Sequence, residues 1–201
     1  APAAEADVRR QLGLGDARVV LGVAAMKAHK NLAGLVQAMR YVRSASPAAQ
    51  LVVPGPRTSY ESELRRVAMA AGVSDAVHFP GYVERDVLEA LFGMCECLAF
   101  PSTREGFGIP VLEAMARDVP VVCAADSVPA DVAGGAAELV DPRSPESIAG
   151  GILAVMGDAR LRADLVARGR ARVQAFSWDR TVDLTLASLQ RAVSDREGPS
   201  S

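Results

Sequence analysis

Two kinds of apolar pattern alternate along most of this chain. Short continuous apolar runs predict buried strands, and longer runs with apolar residues three and four positions apart predict helices. The predicted strands are residues 18–24, 50–53, 76–79, 96–100, 119–124 and 137–140. The predicted helices are residues 7–14, 31–43, 59–71, 86–94, 111–117, 145–156, 159–173 and 178–193, with a short turn or helix at 129–133.

The alternation of strands with helices of about 10–15 residues predicts right-handed crossovers and parallel strand pairing. The expected fold class is therefore α/β, a Rossmann-like doubly wound parallel sheet of about six strands with helices on both faces. Ligands of such sheets bind at the carboxyl ends of the strands. The loops at 25–31, 54–59, 81–85 and 101–110 follow the first four predicted strands, so we expect the binding site among them.

The chain of 201 residues is long enough for one hydrophobic core. We expect that core at residues 17–194. Residues 1–16 are predicted to be a lead-in or linker, because they open with Ala-Pro-Ala-Ala, and residues 195–201 a polar tail. Two side chains have predicted structural roles: Asn31 as the N-cap of its helix, and His78 as a half-exposed strand residue.

Composition excludes several function classes. Hydrophobic residues make up 50% and charged residues 23%, as in ordinary globular proteins, and the net charge of −2 provides no basic field for nucleic acid. No apolar run is long enough to predict a transmembrane segment. The three cysteines, at 95, 97 and 123, have no metal-like spacing, so we expect free thiols in a cytoplasmic protein.

The stretch from Glu105 to Glu113 carries the strongest chemical signal. It follows an apolar strand-like run, contains a glycine-rich turn at 106–108, and leads into a predicted helix. Free backbone N–H groups and the helix dipole make such a turn suitable for an anion. Because two carboxylates frame the turn, the ligand is expected to carry sugar hydroxyls as well as phosphate.

A second signal is the placement of lysine. Of 22 basic residues only Lys27 and Lys30 are lysines, and both lie in the loop after the first predicted strand, beside His29. Two ammonium groups at the start of a helix are suited to neutralising a diphosphate. A solvated basic loop and chance placement are the alternatives.

These stretches resemble the retaining glycosyltransferases of family 4, which have the two-domain GT-B fold. The block 105–113 is similar to their glutamate-seven-residues-glutamate motif, residues 26–31 to their lysine-asparagine segment, and 176–178 to their phenylalanine-serine-tryptophan segment. The resemblance covers residues 19–193. It implies the C-terminal, donor-binding domain, with the N-terminal acceptor domain absent.

The resemblance also implies roles for individual residues. Lys30, at the donor diphosphate, and Glu105, near the transferred sugar, are the predicted catalytic residues, and Glu113 would bind the ribose. The other predicted donor-binding residues are Lys27, His29, Arg57, Tyr82, Val83, Arg104, Gly106, Phe107 and Gly108. Ala25 departs from the family pattern, because many members have an arginine five residues before the lysine; Lys27 or Arg104 would substitute.

The implied reaction is the transfer of a hexose from a nucleotide-diphosphate sugar to an acceptor hydroxyl, with retention at the anomeric carbon. Neither a metal nor another cofactor is expected, and this domain alone would bind the donor without turnover. A non-catalytic GT-B-like interaction module is the alternative. The full-length enzyme would be cytoplasmic, with peripheral attachment to the inner membrane as an open alternative. The base, the sugar and the acceptor are not implied.

Overall fold

The fold is seen in a computed structural model that describes residues 4–194. Within these residues six strands form one sheet with all pairings parallel. The strands are β1 (Arg18–Leu21), β2 (Ala49–Pro54), β3 (Val77–Gly81), β4 (Cys95–Phe100), β5 (Val121–Ala124) and β6 (Ala137–Val140). Their order is β3-β2-β1-β4-β5-β6, so the direction of winding reverses between β1 and β4. The predicted six-stranded parallel sheet is confirmed.

Helices cover both faces of the sheet, as expected. They are α1 (Glu5–Leu12), α2 (Leu32–Ala45), α3 (Glu61–Ala70), α4 (Arg85–Met94), α5 (Ile109–Met115), α6 (Val128–Ala133), α7 (Pro145–Gly157), α8 (Ala159–Val173) and α9 (Trp178–Ser194). Successive strand residues point to opposite faces. Val20 accordingly packs in one apolar core with α2, α3 and α7, whereas Val19 and Leu21 pack in a second core with α1, α4 and α5.

The segment expected to be a lead-in or linker contains a packed helix. Val8 of α1 and Leu14 just after it are only 1% and 2% exposed, and both belong to the second core. The helix ends at Gly13, which has a left-handed φ of 68°. The helix predicted at residues 7–14 is thus present as α1, and one apolar side of it covers α4. Residues 1–3 and the predicted tail at 195–201 lie outside the described residues.

Asn31 precedes α2 but does not cap it. Its backbone is left-handed, with φ 53°, and no helical N–H donates to its side chain. Instead its amide nitrogen Nδ2 donates to the carbonyl oxygens of Pro101 and Pro142. The predicted N-cap was wrong, because carbonyl groups of two neighbouring loops converge on this position and occupy the amide. In contrast, Ser177 caps α9, because its Oγ accepts from Arg180 N at the start of that helix.

The last described helix leaves much of its apolar side uncovered. Trp178 at its start is 84% exposed, and Val182, Leu186 and Leu189, which follow at helical spacing, are each more than half exposed. Contiguous exposed apolar surface of this kind is uncommon on a monomer. Among residues 4–194, no helix is both long and apolar enough to span a membrane.

The three cysteines are free and buried, as predicted. Burial raises the pKa of Cys95 to about 12 and that of Cys123 to about 12. Burial also raises the pKa of Cys97. Because a thiolate is the reactive form of cysteine, these side chains serve as packing groups rather than nucleophiles.

Candidate functional site

The carboxyl ends of β1 and β4, between which the strand order reverses, bring together the two predicted catalytic residues. Lys30 follows β1 and Glu105 follows β4, and their side chains form an ion pair with 2.5 Å between Nζ and Oε1. The lysine side chain is 19% exposed and that of the glutamate 11%. The Phe100 ring lies below the ammonium group, with its centroid 5.8 Å from Nζ. Such a switch point is where doubly wound sheets bind ligands.

The loops that carry this pair are joined through the backbone of His29. Its carbonyl oxygen accepts from Ser102 Oγ at 3.1 Å, from Thr103 Oγ1 at 3.1 Å and from Thr103 N at 3.0 Å. Ser102 is 1% exposed, so its hydroxyl is committed to this connection. The imidazole of His29 remains at the surface. The carbonyl therefore holds the lysine loop against the glutamate loop.

The glycine-rich turn presents unpaired backbone donors beside the ion pair. None of the N–H groups of residues 106–108 donates to an acceptor within the described part of the chain. Gly108 has a left-handed φ of 94°, and a Cβ there would lie 3.2 Å from Pro129 Cγ. Phe107 is 43% exposed and packs edge to face with Phe176, at 5.8 Å between ring centroids. Free N–H groups in a turn before a helix suit an anionic ligand.

Glu113 lies just beyond the first turn of α5. Ile109 is the first helical residue and Pro110 the second, so Glu113 is in the fifth position rather than the first turn. It is half-buried, and its carboxylate has no hydrogen-bond or salt-bridge partner among residues 4–194. The charge of Arg117 acts on this carboxylate without a direct bond to it. A partly desolvated carboxylate that accepts no hydrogen bond from the described residues is available to accept from ligand hydroxyl groups.

Arg117, which sequence reasoning missed, holds the C-terminal end of α5. Its Nη1 donates to the carbonyl oxygen of Glu113 at 2.7 Å, and its Nε and Nη2 donate to both carboxylate oxygens of Glu89 at 2.6 Å. Hydrogen bonding to Arg117 lowers the pKa of Glu89. A basic residue at a helix end is the signal that would have pointed to it.

Two further predicted cations lie on the same two loops as the pair. Lys27 and Arg104 are both exposed, and neither charged group has a partner in the described range 4–194. The carbonyl oxygen of Lys27 accepts from Lys30 N at 3.0 Å, which places Lys27 at the start of the 3-10 turn Ala28–Lys30. Both cations are therefore free to meet an anion.

The segments that carry the predicted donor-binding residues Arg57 and Tyr82 come together at the carboxyl ends of β2 and β3. Gly55 N donates to Gly81 O at 2.9 Å, and Arg57 Nη2 donates to Phe79 O at 3.1 Å. Gly81 has φ 83°, and a Cβ there would lie 2.9 Å from Arg57 Nε. A side chain at position 81 would therefore displace Arg57.

Tyr82 and Val83 are placed differently from the other predicted residues. Tyr82 is 74% exposed. Both line a hollow of about 280 Å³ with residues of α1 and α4. No hydrogen bond or ion pair recorded for residues 4–194 joins them to Lys30 or Glu105.

A larger hollow, which the sequence did not indicate, lies over the ends of β5 and β6. Its volume is about 600 Å³, within the range of ligand pockets. Thr103 of the glutamate loop forms part of its wall, together with Asp126 and Arg143. Among the described residues, neither this hollow nor any other part of the structure has a group of three or more histidine, cysteine or acidic side chains placed to hold a metal ion.

Most of the chain matches a known protein family. Residues 5–172 match the model of the family described as glycosyl transferases group 1. The chain belongs to this family. The predicted recognition is thereby confirmed at the level of the family and of the GT-B fold.

Relatives within the family are about twice as long as this chain. It is 33% identical, over 94% of its length, to the GDP-mannose-dependent alpha-(1-6)-phosphatidylinositol monomannoside mannosyltransferase of Mycobacterium tuberculosis, and covers 51% of that protein. The chain thus spans about half the length of the curated relatives it matches.

Two solved structures match the fold. Sucrose-phosphate synthase from Thermosynechococcus elongatus has a TM-score of 0.76 and 29% identity, and the match covers 97% of this chain and 50% of that one. HepE of Anabaena, solved with UDP and glucose, has a TM-score of 0.79 and 23% identity, over 95% of this chain and 52% of that one. The sheet described above is therefore one half of a GT-B architecture.

Proposed function

We propose that this chain is the donor-binding half of a retaining family 4 glycosyltransferase, which transfers a hexose from a nucleotide-diphosphate sugar to an acceptor hydroxyl. The observation that carries the proposal is the Lys30–Glu105 ion pair at the point where the strand order reverses. It puts a cation for the diphosphate and a carboxylate for the sugar side by side, next to the unpaired N–H groups of residues 106–108.

The roles of the other residues follow from their charges and positions. Glu113 accepts from the ribose hydroxyl groups, since its carboxylate has no other described partner. Lys27 or Arg104 supplies the second phosphate contact, in place of the arginine that many family members have at the position of Ala25. Arg57, Gly55 and Gly81 form one side of the base site. Tyr82 and Val83 contribute only if the base extends towards α1.

The reaction needs no metal ion in this proposal. Lys30, the free cations beside it and the N–H groups of the turn stabilise the negative charge that develops on the leaving diphosphate. Because these groups are in place before the donor binds, little reorganisation accompanies bond breaking. The diphosphate is the leaving group, and the sugar is transferred to an acceptor held outside this sheet.

Turnover requires a second half in addition to these residues. The relatives are about twice as long as this chain, which is consistent with an acceptor site on another domain. We propose that the 201-residue chain binds the nucleotide donor without transferring the sugar. Measurable transfer by this chain alone would contradict that statement.

A non-catalytic interaction module is the second candidate, and Ala25 is the observation that favours it. This residue stands where family members carry an arginine for the diphosphate. A module of this kind would keep the sheet but not bind nucleotides. The two candidate functions thus differ in nucleotide binding, which can be measured directly.

Calorimetric titration of UDP, GDP, ADP and dTDP into the chain distinguishes the donor-binding domain from the interaction module. Selective binding of one nucleotide is expected, with strong losses in Lys30→Ala and Glu113→Ala. Glu63→Ala removes an exposed carboxylate on α3 and serves as the control that should not change affinity. If no nucleotide binds to this chain or to a longer one with the second half, the module is the correct interpretation.

A further inference from the structure

The amide of Asn31 connects three loops at the carboxyl edge of the sheet. Its Nδ2 donates to Pro101 O at 3.2 Å and to Pro142 O at 2.6 Å. These acceptors follow β4 and β6, whereas Asn31 itself follows β1. Both hydrogens of the amide are thus used in bonds between loops.

The connection acts directly on the two residues of the ion pair. Asn31 is the neighbour of Lys30 in the chain, and Pro101 begins the loop that reaches Glu105 four residues later. Together with the bonds to His29 O, the amide restrains the distance between the lysine and glutamate loops. An interaction at the ends of two loops restrains the side chains that they carry.

Two further observations show that the position is adapted to asparagine. Asparagine tolerates the left-handed backbone found here better than most residues, and this is the only asparagine in the chain. Gly34, the third residue of α2, leaves room for the amide, since a Cβ at position 34 would lie 2.7 Å from Asn31 Oδ1. The side chain therefore occupies a prepared space rather than open solvent.

We propose that Asn31 is a positioning residue of the donor site, which places the Lys30 ammonium group for the terminal phosphate of a nucleoside diphosphate. The inference rests on the proposed function and extends it. A nucleoside monophosphate lacks the second phosphate, which is the group proposed to meet Lys30. Asn31 therefore controls the preference for a diphosphate over a monophosphate.

Two variants test the amide with different chemistry. Asn31→Gly keeps the left-handed backbone and removes both bonds between loops. Asn31→Asp keeps the shape but turns an oxygen towards two carbonyl oxygens. We expect both to weaken binding of the preferred nucleoside diphosphate about tenfold, equal to about 1.4 kcal/mol, and to change binding of its monophosphate less than about twofold. Equal losses for both nucleotides would overturn the inference.

A double-mutant cycle with Lys30→Gln distinguishes positioning from general loosening. If Asn31 acts through Lys30, Asn31→Gly has little further effect on diphosphate binding once Lys30→Gln is present. Additive losses would overturn the inference. Should the Asn31 variants not fold, the inference is tested without them by the asparagine signal of wild type and Lys30→Gln, described in the next paragraph.

The wild-type chain separates this inference from the proposal beneath it. If wild type binds no nucleoside diphosphate, alone or within a longer chain, the proposed function fails and the role of Asn31 fails with it. If wild type binds and the cycle is additive, only the role of Asn31 is rejected. Because Asn31 is the sole asparagine, asparagine-selective ¹⁵N labelling adds a direct readout: its side-chain signal should shift on diphosphate binding in wild type but not in Lys30→Gln.

Discussion

Lys30 Nζ lies 2.5 Å from Glu105 Oε1, although the two residues are 75 positions apart in the chain. Both side chains are mostly buried, so the pair has lost much of its hydration. In such surroundings a charge that loses its partner is costly, whereas an exchange of one partner for another is not. A diphosphate therefore has to replace or share Glu105 as the partner of Lys30.

This competition predicts opposite effects for the two halves of the pair. Lys30→Gln should weaken nucleoside diphosphate binding by at least about tenfold, since it removes the cation. Glu105→Gln should leave this binding unchanged or strengthen it, because the ammonium group no longer has a protein carboxylate beside it. Calorimetry on both variants measures the two effects, with thermal unfolding as the check that both are folded. A similar loss in Glu105→Gln would show that the carboxylate does not compete.

Glu113 should determine the preference for ribose over deoxyribose. A hydrogen bond to a charged group contributes about 1.5–3 kcal/mol. We therefore expect wild type to bind the ribonucleoside diphosphate more tightly than its 2′-deoxy analogue, and Glu113→Ala to bind the two about equally. Parallel titrations of GDP and 2′-deoxy-GDP, or of the corresponding pair for the preferred base, measure the ratio. An unchanged ratio in the variant would place the ribose elsewhere.

His78 should make the stability of the fold depend on pH. Burial lowers the pKa of this imidazole below its ordinary value of 6.5, and the charge of Asp75 opposes that effect. The ring contacts Gln50, with 2.8 Å between Nε2 and Oε1. Below pH 6.5 the unfolded chain binds a proton that the folded chain still excludes. The free energy of unfolding therefore falls as the pH drops through 6.5, and the fall stops once the folded pKa is passed.

Urea unfolding of wild type and His78→Gln at several values between pH 7.5 and pH 5 measures this contribution. The variant lacks the titrating ring but can still form a hydrogen bond to Gln50. Its stability should be less steep in pH between 6.5 and the folded pKa, while carboxylates contribute equally to both proteins. Identical slopes would mean that His78 does not carry the effect.

Gly55 should be intolerant of a side chain. Its φ is 151°, and a Cβ there would lie 2.1 Å from Ala24 O, a backbone atom of the neighbouring loop. Gly55→Ala should therefore cost about 1–3 kcal/mol or more in the free energy of unfolding. Gly150→Ala is the matched control, because position 150 is exposed on α7 with open space around it. The control should stabilise the chain by about 0.5–1 kcal/mol. Similar losses in both variants would contradict the predicted contact.

Most of the architecture was predictable because it depends on local periodicity. The run at 18–24 and the helical spacing at 31–43 indicated a strand and a crossover helix, and the structure has β1 and α2 there. The boundaries were less predictable. The strand expected from residue 119 begins at Val121, and the one expected to reach residue 24 ends at Leu21. Gly22 N and Ala24 N still donate to Val52 O and Pro54 O of β2, so the end of β1 is gradual and has no clear mark in the sequence.

The candidate site was predictable as a set of residues but not as a set of contacts. Lys30 was predicted from the loop after the first strand, and Glu105 and Glu113 from the loop and helix after the fourth. A sequence motif supported the prediction in each of these segments. Arg117 was missed because its partner, Glu89, lies on another helix and has no fixed spacing from it. The role of Asn31 was misassigned for the same reason, since its acceptors belong to distant loops.

By itself the sequence determined the order of strands and helices and the parallel pairing of the sheet. It also determined that the candidate site residues lie at the carboxyl ends of the strands. These follow from side-chain alternation and crossover length, which act over a few residues to a few tens of residues. The tertiary structure alone decided that β1 lies beside β4, that Lys30 is neutralised by Glu105, and that α1 is packed rather than free. Those outcomes depend on which strands become neighbours, because only adjacent strands bring their loops within hydrogen-bonding distance.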